Sequence, residues 1–107
     1  MAKPAFNQVK RHLKISDQAQ AIVFVNDRKQ ARLTALDFVT FSAADEKPKE
    51  FLSSEIDHRV MQSLSEQTLK SCLEFGIGIV HDGLSEREIN LIKHLYKEGT
   101  IRVMVIA

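Results

Sequence analysis

Ile101-Arg-Val-Met-Val-Ile-Ala107 is the stretch that decides the fold of this chain, because it is one of three short apolar runs separated by helical patterns. The earlier runs are Ala21-Ile-Val-Phe-Val25 and Ile77-Gly-Ile-Val80. The first of these is continuous and rich in β-branched residues, which is typical of a strand buried on both faces. Strands that alternate with helices imply right-handed crossovers. The predicted fold class is therefore α/β, a parallel sheet with flanking helices.

Two helices are predicted in the first half of the chain, over 3–13 and 28–44, because apolar residues recur there at helical spacing. Pro4 suits a first helical turn, where its missing N–H would be unpaired. The second helix should end before the polar, proline-bearing surface loop 45–49. The residues predicted to face the core are Phe6, Val9 and Leu13 in the first helix and Leu36, Val39 and Ala43 in the second.

The second half of the chain predicts two further helices with clear end signals. Ser65 is a plausible N-cap for one, and Gly76 suits the left-handed conformation after its last turn. Ser85 and Glu88 have capping-box spacing at the start of the other, and Gly99 terminates it. The segment 51–64 has a weaker helical pattern. The predicted inward residues are Leu69, Cys72 and Leu73 in the first of these helices and Ile89, Ile92 and Tyr96 in the second.

Composition limits the classes of function that the chain can have. With 107 residues, 44% apolar and 27% charged, it is the size of one globular domain. A net charge of +1 means that any contact with nucleic acid must rest on a local patch. Cys72 is the only cysteine, which excludes an internal disulfide and indicates an intracellular, metal-free chain. No stretch approaches the roughly 20 apolar residues that cross a bilayer.

Isolated titratable residues offer no catalytic site. The three histidines His12, His58 and His94 have no partner at catalytic or metal-binding spacing, so we interpret them as surface residues. Cys72 lies on an apolar helical face and is predicted to belong to the core. The pair 45–46 adjoins lysines and is interpreted as a solvated charge run. No catalytic residue is predicted.

A glycine-rich pattern precedes the last predicted helix. Gly78-x-x-x-x-Gly83-Leu84-Ser85 differs from a phosphate-binding loop because leucine replaces the lysine that would reach the outer phosphates, and Gly78 falls within a strand. What remains is a turn into a helix N-terminus, where N–H groups favour an anion such as a nucleic-acid phosphate, with His81 as a neighbouring donor. The alternative is that Gly83 merely permits the turn and Ser85 merely caps the helix.

The loop after the first strand contains a second polar cluster. Arg28 and Lys29 lie at the start of a predicted helix, where cations oppose the helix dipole unless an anion lies between them and the helix end. Two solvated side chains are the alternative. Ligands of parallel sheets gather at the carboxyl ends of the strands, so the loops after Val25, Val80 and Ala107 are expected to form one functional edge.

Several separated motifs resemble those of the large DExH-box RNA helicases of the Ski-like group, in the same order and spacing. The stretch 21–36 looks like their fourth motif, Val80-His-Asp-Gly-Leu-Ser85 resembles the His-x-Gly-Leu turn that follows it, and 103–107 resembles the start of the fifth. The similarity also includes three shorter stretches, 1–5, 43–45 and 75–78. Within the group, the similarity is strongest to the two-cassette members, and three departures from the family pattern suit the second cassette.

The resemblance implies that residues 1–107 are the first part of a second RecA-like helicase domain, an incomplete piece that is inactive alone. The family's ATP-binding loop and DExH box are missing from the sequence, so ATP and Mg²⁺ are implied only for a full-length parent. Implied partners are RNA, including small nuclear RNA, spliceosomal proteins and the rest of the cassette, in the nucleus, with no membrane. The residues implied to contact the RNA backbone are Arg28, Lys29, His81, Gly83, Leu84 and Ser85.

Three departures from the family pattern open an alternative function. Asp27 replaces a small or hydroxyl residue, Val80 replaces the first histidine of the turn, and Ala107 replaces a hydroxyl residue. A negative charge at Asp27 disfavours a nearby phosphate. These departures suit a catalytically degenerate cassette that regulates an active one and docks proteins. A third hypothesis is a small doubly wound binding protein, complete in itself.

Overall fold

The computed structural model describes residues 3–45 and 47–107, and in this part of the chain helices flank a three-stranded sheet. The predicted α/β class is confirmed, and so is the first helix with its three buried residues. The elements in chain order are α1 (Lys3–Leu13), β1 (Ala21–Phe24), α2 (Arg28–Ala43), α3 (His58–Gln62), α4 (Gln67–Glu74), β2 (Ile77–Val80), α5 (Glu86–Lys97) and β3 (Val103–Ile106).

The strands are parallel and ordered β1-β3-β2, so the strand that comes last in the chain lies at the centre of the sheet. Phe24 and Val80 both pair with Ile106, which places the three strand ends at one level. Hydrogen bonds continue past these ends, from Val25 N–H to Ile106 O at 2.9 Å and from Ala107 N–H to Val80 O at 3.0 Å. The loops after β1 and β2 therefore flank the end of β3 on a single edge of the sheet, which we call the carboxyl edge.

The prediction that the first strand is buried on both faces is wrong. Ile22 is 41% exposed and Phe24 is 76% exposed, whereas Ala21 and Val23 on the opposite face pack against the core. β1 is an edge strand with one covered face. A continuous apolar run cannot reveal this difference, because burial of the second face depends on what covers it rather than on the strand itself.

The predicted inward face of α2 is displaced. Leu36 is 37% exposed and Ala43 is exposed, whereas Val39 is half-buried. The buried positions contain small residues, which let the helix approach the sheet and α4 closely, and one large ring that packs edge-on against Phe6 with centroids 5.4 Å apart. A prediction from the large apolar residues alone therefore does not find the buried face of α2. Its buried residues are Ala31, Ala35, Phe38 and Ser42.

Helix ends in the second half are largely as predicted. Gly76 and Gly99 adopt φ angles of 82° and 80°, which L-residues rarely adopt, so both act as helix terminators. The capping box at α5 is present in full. The N-cap of α4, however, is Glu66 and not Ser65, and its side chain makes no capping hydrogen bond. The predicted N-cap is thus wrong by one residue.

The predicted core residues of α4 and α5 are confirmed in part. Leu69, Cys72, Leu73 and Ile92 are buried, whereas Ile89 and Tyr96 are half-buried against the core. Burial of Tyr96 raises the pKa of its phenol.

In the segment 51–64, which has the weaker helical pattern, the helix is limited to α3, and Leu52 forms an antiparallel bridge with Ile101. This bridge attaches the segment to the sheet.

A buried arginine joins α1 to the sheet. Arg102, directly before β3, is only 9% exposed and donates three hydrogen bonds to backbone carbonyl oxygens. The acceptors are Leu13 O at 2.8 Å, Ser16 O at 2.7 Å and Ala19 O at 3.0 Å. A guanidinium suits this position because its fork presents several donors and its charge favours the negative end of α1.

Candidate nucleic-acid interface

The two sequence-predicted polar clusters meet at the carboxyl edge. Arg28 begins α2 directly after β1, and Gly83 lies in the turn between β2 and α5. The Arg28 side chain lies so close to Gly83 that a Cβ atom there would overlap its guanidinium Nη1 and lie 3.1 Å from its Cδ. Residues that are 55 positions apart in the sequence therefore form one continuous surface.

Arg28 and Lys29 supply positive charge that the described residues do not neutralise. Both side chains are exposed, and within 3–45 and 47–107 neither forms an ion pair or a hydrogen bond. The guanidinium of Arg28 is exposed beside the backbone of Gly83. Such an arrangement binds a phosphate group through charge and hydrogen bonds together.

His81 faces inward, which the sequence did not reveal. Its side chain is 3% exposed, and its Nδ1 atom accepts the Gly83 N–H at 3.0 Å. Its Nε2 atom lies 3.8 Å from the Glu66 carboxylate. In this arrangement the ring supports the turn through the Gly83 backbone, and both ring nitrogens face protein groups. A direct contact between His81 and RNA remains a prediction.

Leu84 and Ser85 also have structural roles at the start of α5. The Leu84 side chain is 8% exposed and belongs to the core, so only its backbone is available to a ligand. The Ser85 hydroxyl accepts the Glu88 N–H at 3.1 Å, and the Glu88 carboxylate accepts the Ser85 N–H at 3.2 Å. The Ser85 backbone hydrogen bond is the main cause of the lowered pKa of Glu88. The first two N–H groups of α5 remain for solvent or a ligand.

A carboxylate also lies at the start of α2. Asp27 is the N-cap, and its Oδ1 atom accepts the Gln30 N–H at 2.8 Å. This bond satisfies one of the unpaired N–H groups of the helix end and places a negative charge there. The aspartate that departs from the family pattern therefore stabilises α2 while reducing the attraction of its N-terminus for a phosphate.

Sequence reasoning missed two residues near this site, Arg32 and Glu66. Arg32 Nη2 donates to Glu66 Oε1 at 3.1 Å, and the same carboxylate faces His81. Arg32 lies one helical turn after Arg28, which is a spacing that the sequence contains. Nothing in the sequence indicates Glu66, because its two partners belong to other elements.

The structure also gives the positions of the cysteine and the isolated histidines. Cys72 is fully buried, and burial raises the pKa of its thiol to about 12, so it is a core residue as predicted. The three isolated histidines are exposed, as predicted. In the described part of the chain no group of acidic, histidine or cysteine residues could hold a metal ion. Residues 1, 2 and 46, which the sequence analysis included in a motif and in a charge run, lie outside the described residues.

Across 3–45 and 47–107, none of the helices combines the length and apolar character that a transmembrane segment requires.

Comparison with known proteins identifies relatives over the whole chain. It is 38% identical over 109 residues to the U5 small nuclear ribonucleoprotein 200 kDa helicase of Drosophila melanogaster, with all of the chain covered. It is 39% identical to the DExH-box ATP-dependent RNA helicase DExH14 of Arabidopsis thaliana and 36% identical to the human activating signal cointegrator 1 complex subunit 3, each over 98% of the chain. The chain spans 5% of the length of each relative. No protein-family model matches it.

Fold and similarity together define the class of this chain: it is homologous to a segment of the RNA helicases. The particular relatives are large DExH-box helicases, represented by the U5 200 kDa helicase, with the signal cointegrator subunit also among them. The resemblance to the Ski-like group that the motifs indicated is thereby confirmed. Within that group the motifs are most similar to the spliceosomal 200 kDa helicase and next to the signal cointegrator subunit, and both are among the relatives.

Proposed function

We propose that this chain is the first part of the second RecA-like domain of an ATP-dependent RNA helicase, and that its carboxyl edge contacts the RNA backbone. The observation that carries the proposal is the close approach of the Arg28 side chain to Gly83, which joins the two candidate motifs. Phosphate contacts of this kind hold a strand without reading its sequence. That property suits a protein that moves along RNA.

Each predicted residue has a defined part in the proposal. Arg28 and Lys29 supply the charge, because both are exposed and have no ion-pair partner among the described residues. Gly83 supplies a backbone surface without a side chain. Leu84 and Ser85 anchor the turn and cap α5, and His81 supports the turn from inside.

The cellular role, location and partners that we propose are inferred from the names of the relatives. We propose a role in pre-mRNA splicing, in the nucleus, with small nuclear RNA and spliceosomal proteins as partners, because one group of relatives is named for the U5 small nuclear ribonucleoprotein. ATP and Mg²⁺ are proposed for the complete helicase. The residues described here are assigned no part in binding either.

The test is the salt dependence of RNA binding by the protein that carries this chain. Arg28→Ala should weaken binding to single-stranded RNA and reduce the slope of log K against log salt by about 0.7 to 1. Arg11→Ala removes the same charge from the exposed side of α1 and is the matched control. Equal slopes for Arg28→Ala and Arg11→Ala would rule out the assigned contact.

A catalytically degenerate, protein-docking cassette is the second candidate, and the helix caps favour it. The carboxylates of Asp27 and Glu88 place negative charge at the starts of α2 and α5, which disfavours a phosphate there. Leu33 and Leu36 on α2 are 45% and 37% exposed and offer apolar surface for a protein. This candidate predicts that Arg28→Ala and His81→Ala leave unwinding intact, whereas Leu33→Asp abolishes partner binding. The opposite pattern would exclude it.

A further inference from the structure

Two consecutive residues, Ser65 and Glu66, connect the entry of α4 to the elements that form the candidate interface. Glu66 Oε1 accepts a hydrogen bond from Arg32 on α2, and Glu66 Oε2 faces His81 Nε2 at 3.8 Å. Ser65 Oγ lies 3.5 Å from Glu88 Oε2 at the start of α5. The segment therefore bridges α2 and the turn between β2 and α5.

The Glu66 side chain does not serve its own helix. Glu66 occupies the N-cap of α4, where a short polar side chain usually accepts an N–H of the first turn, yet it makes no such bond. Its carboxylate is instead directed toward Arg32 and His81. Its position is explained by those two partners and not by the stability of α4.

The Gly83 N–H and the Glu66 carboxylate both favour a neutral His81 imidazole that carries its proton on Nε2. Since His81 Nδ1 accepts the Gly83 N–H, a neutral ring must be protonated at Nε2. A carboxylate facing Nε2 favours this tautomer, although 3.8 Å is longer than a hydrogen bond. The opposite tautomer would present an N–H to the Gly83 N–H and break the bond that holds the turn.

We propose that Glu66 is a positioning residue for the RNA-backbone interface, acting through the His81 tautomer to hold Gly83 beside Arg28, with Arg32 offsetting its charge. The inference rests on the proposed function. Simple electrostatics predicts the opposite effect, because removing a carboxylate from the vicinity of a phosphate site should strengthen RNA binding. Weaker RNA binding after removal of the Glu66 carboxylate would therefore indicate a positioning role, and stronger binding would indicate a purely electrostatic one.

The first experiment measures RNA affinity of the protein that carries this chain. Glu66→Leu should weaken binding to single-stranded RNA about threefold or more, and this effect should disappear in the Arg28→Ala background because the two residues are coupled. Asp82→Asn is the matched control: it removes a charge from the same turn, and Asp82 is exposed and makes no ion pair with the described residues. Asp82→Asn should leave binding unchanged or strengthen it.

The second experiment needs no RNA. Nitrogen NMR of labelled histidine should show His81 protonated at Nε2 in the parent protein and a mixture of tautomers in Glu66→Leu, which has no acceptor facing Nε2. An unchanged tautomer in Glu66→Leu, or RNA binding that responds to Glu66→Leu as it does to Asp82→Asn, would overturn the inference. If Arg28→Ala itself leaves RNA binding unchanged, the proposed function fails, and the tautomer still decides whether Glu66 holds the turn.

Discussion

The Arg28 guanidinium occupies the space that a Cβ atom would take at Gly83, so the start of α2 and the turn before α5 are in direct contact. A substitution at Gly83 therefore acts on Arg28. The obstructing atom belongs to the flexible end of a side chain, and the His81 ring edge lies 3.0 Å from the Cβ position. A methyl group at Gly83 therefore displaces the guanidinium, whereas the His81 ring needs to shift by only a few tenths of an ångström.

Gly83→Ala should lower the free energy of unfolding by less than about 1 kcal/mol, because an exposed arginine can move aside. Its larger effect should be on RNA binding, which weakens as the guanidinium is displaced. Urea denaturation measures the first quantity and RNA titration the second. In an Arg28→Ala background, Gly83→Ala should have no further effect on RNA affinity, and a full additional loss would refute the coupling.

Gly76→Ala should be one of the most destabilising single changes in the chain, costing upward of about 2 kcal/mol. Gly76 has a φ of 82°, and a Cβ atom there would overlap the backbone carbonyl of Phe51, which cannot move as a side chain can. Gly99→Ala is the matched control. Gly99 has a φ of 80° but open space around the Cβ position, so its cost should be limited to about 1 kcal/mol of conformational strain. Equal thermal shifts for both variants would contradict the assigned overlap.

Removing the carboxylate of the α5 capping box should reduce stability in a pH-dependent manner. The pKa of Glu88 is lowered in the folded chain, so its contribution is present above the usual glutamate value of about 4.3 and is lost as the pH falls through the lower folded value. Glu88→Gln should therefore cost about 1 kcal/mol at pH 7 and progressively less below pH 4. Denaturation from pH 7 to pH 3 measures this, with exposed Glu86→Gln as control. If the difference in unfolding free energy between the parent protein and Glu88→Gln did not change with pH, ionisation of Glu88 would not contribute to stability.

Arg102→Met should destabilise the chain by about 3 kcal/mol, since it removes a buried guanidinium and leaves three carbonyl oxygens without their charged donor. Arg102→Lys should recover only part of the loss, because an ammonium cannot reproduce the fork that reaches Leu13 and Ala19 together. Chemical denaturation compares the variants. Full stability of Arg102→Met would show that water replaces the guanidinium without cost.

Much of the fold was accessible from local sequence signals. The helix ends at Gly76 and Gly99, the capping box of Ser85 and the three strands all depend on neighbouring residues, and the structure confirms them. Burial was harder to predict. The open face of β1 and the small-residue face of α2 depend on which elements cover them, and no local pattern contains that information.

The candidate site was predictable only in part, for the same reason. Arg28 and Gly83 each lie in a recognisable motif, but their contact depends on the order in which the strands assemble. The inward orientation of His81 and the role of Glu66 arise from three elements that are distant in sequence. Side-chain roles of this kind require the assembled fold.

The most direct test of the central claim pairs Arg28 with an individual phosphate of the RNA. Single-stranded RNA carrying one neutral methylphosphonate at successive positions would be titrated against the parent protein and against Arg28→Ala. We expect one position at which neutralisation weakens binding to the parent protein but has no effect on Arg28→Ala, because the contact is already lost. Equal losses at every position in both proteins would contradict a contact between Arg28 and the RNA backbone.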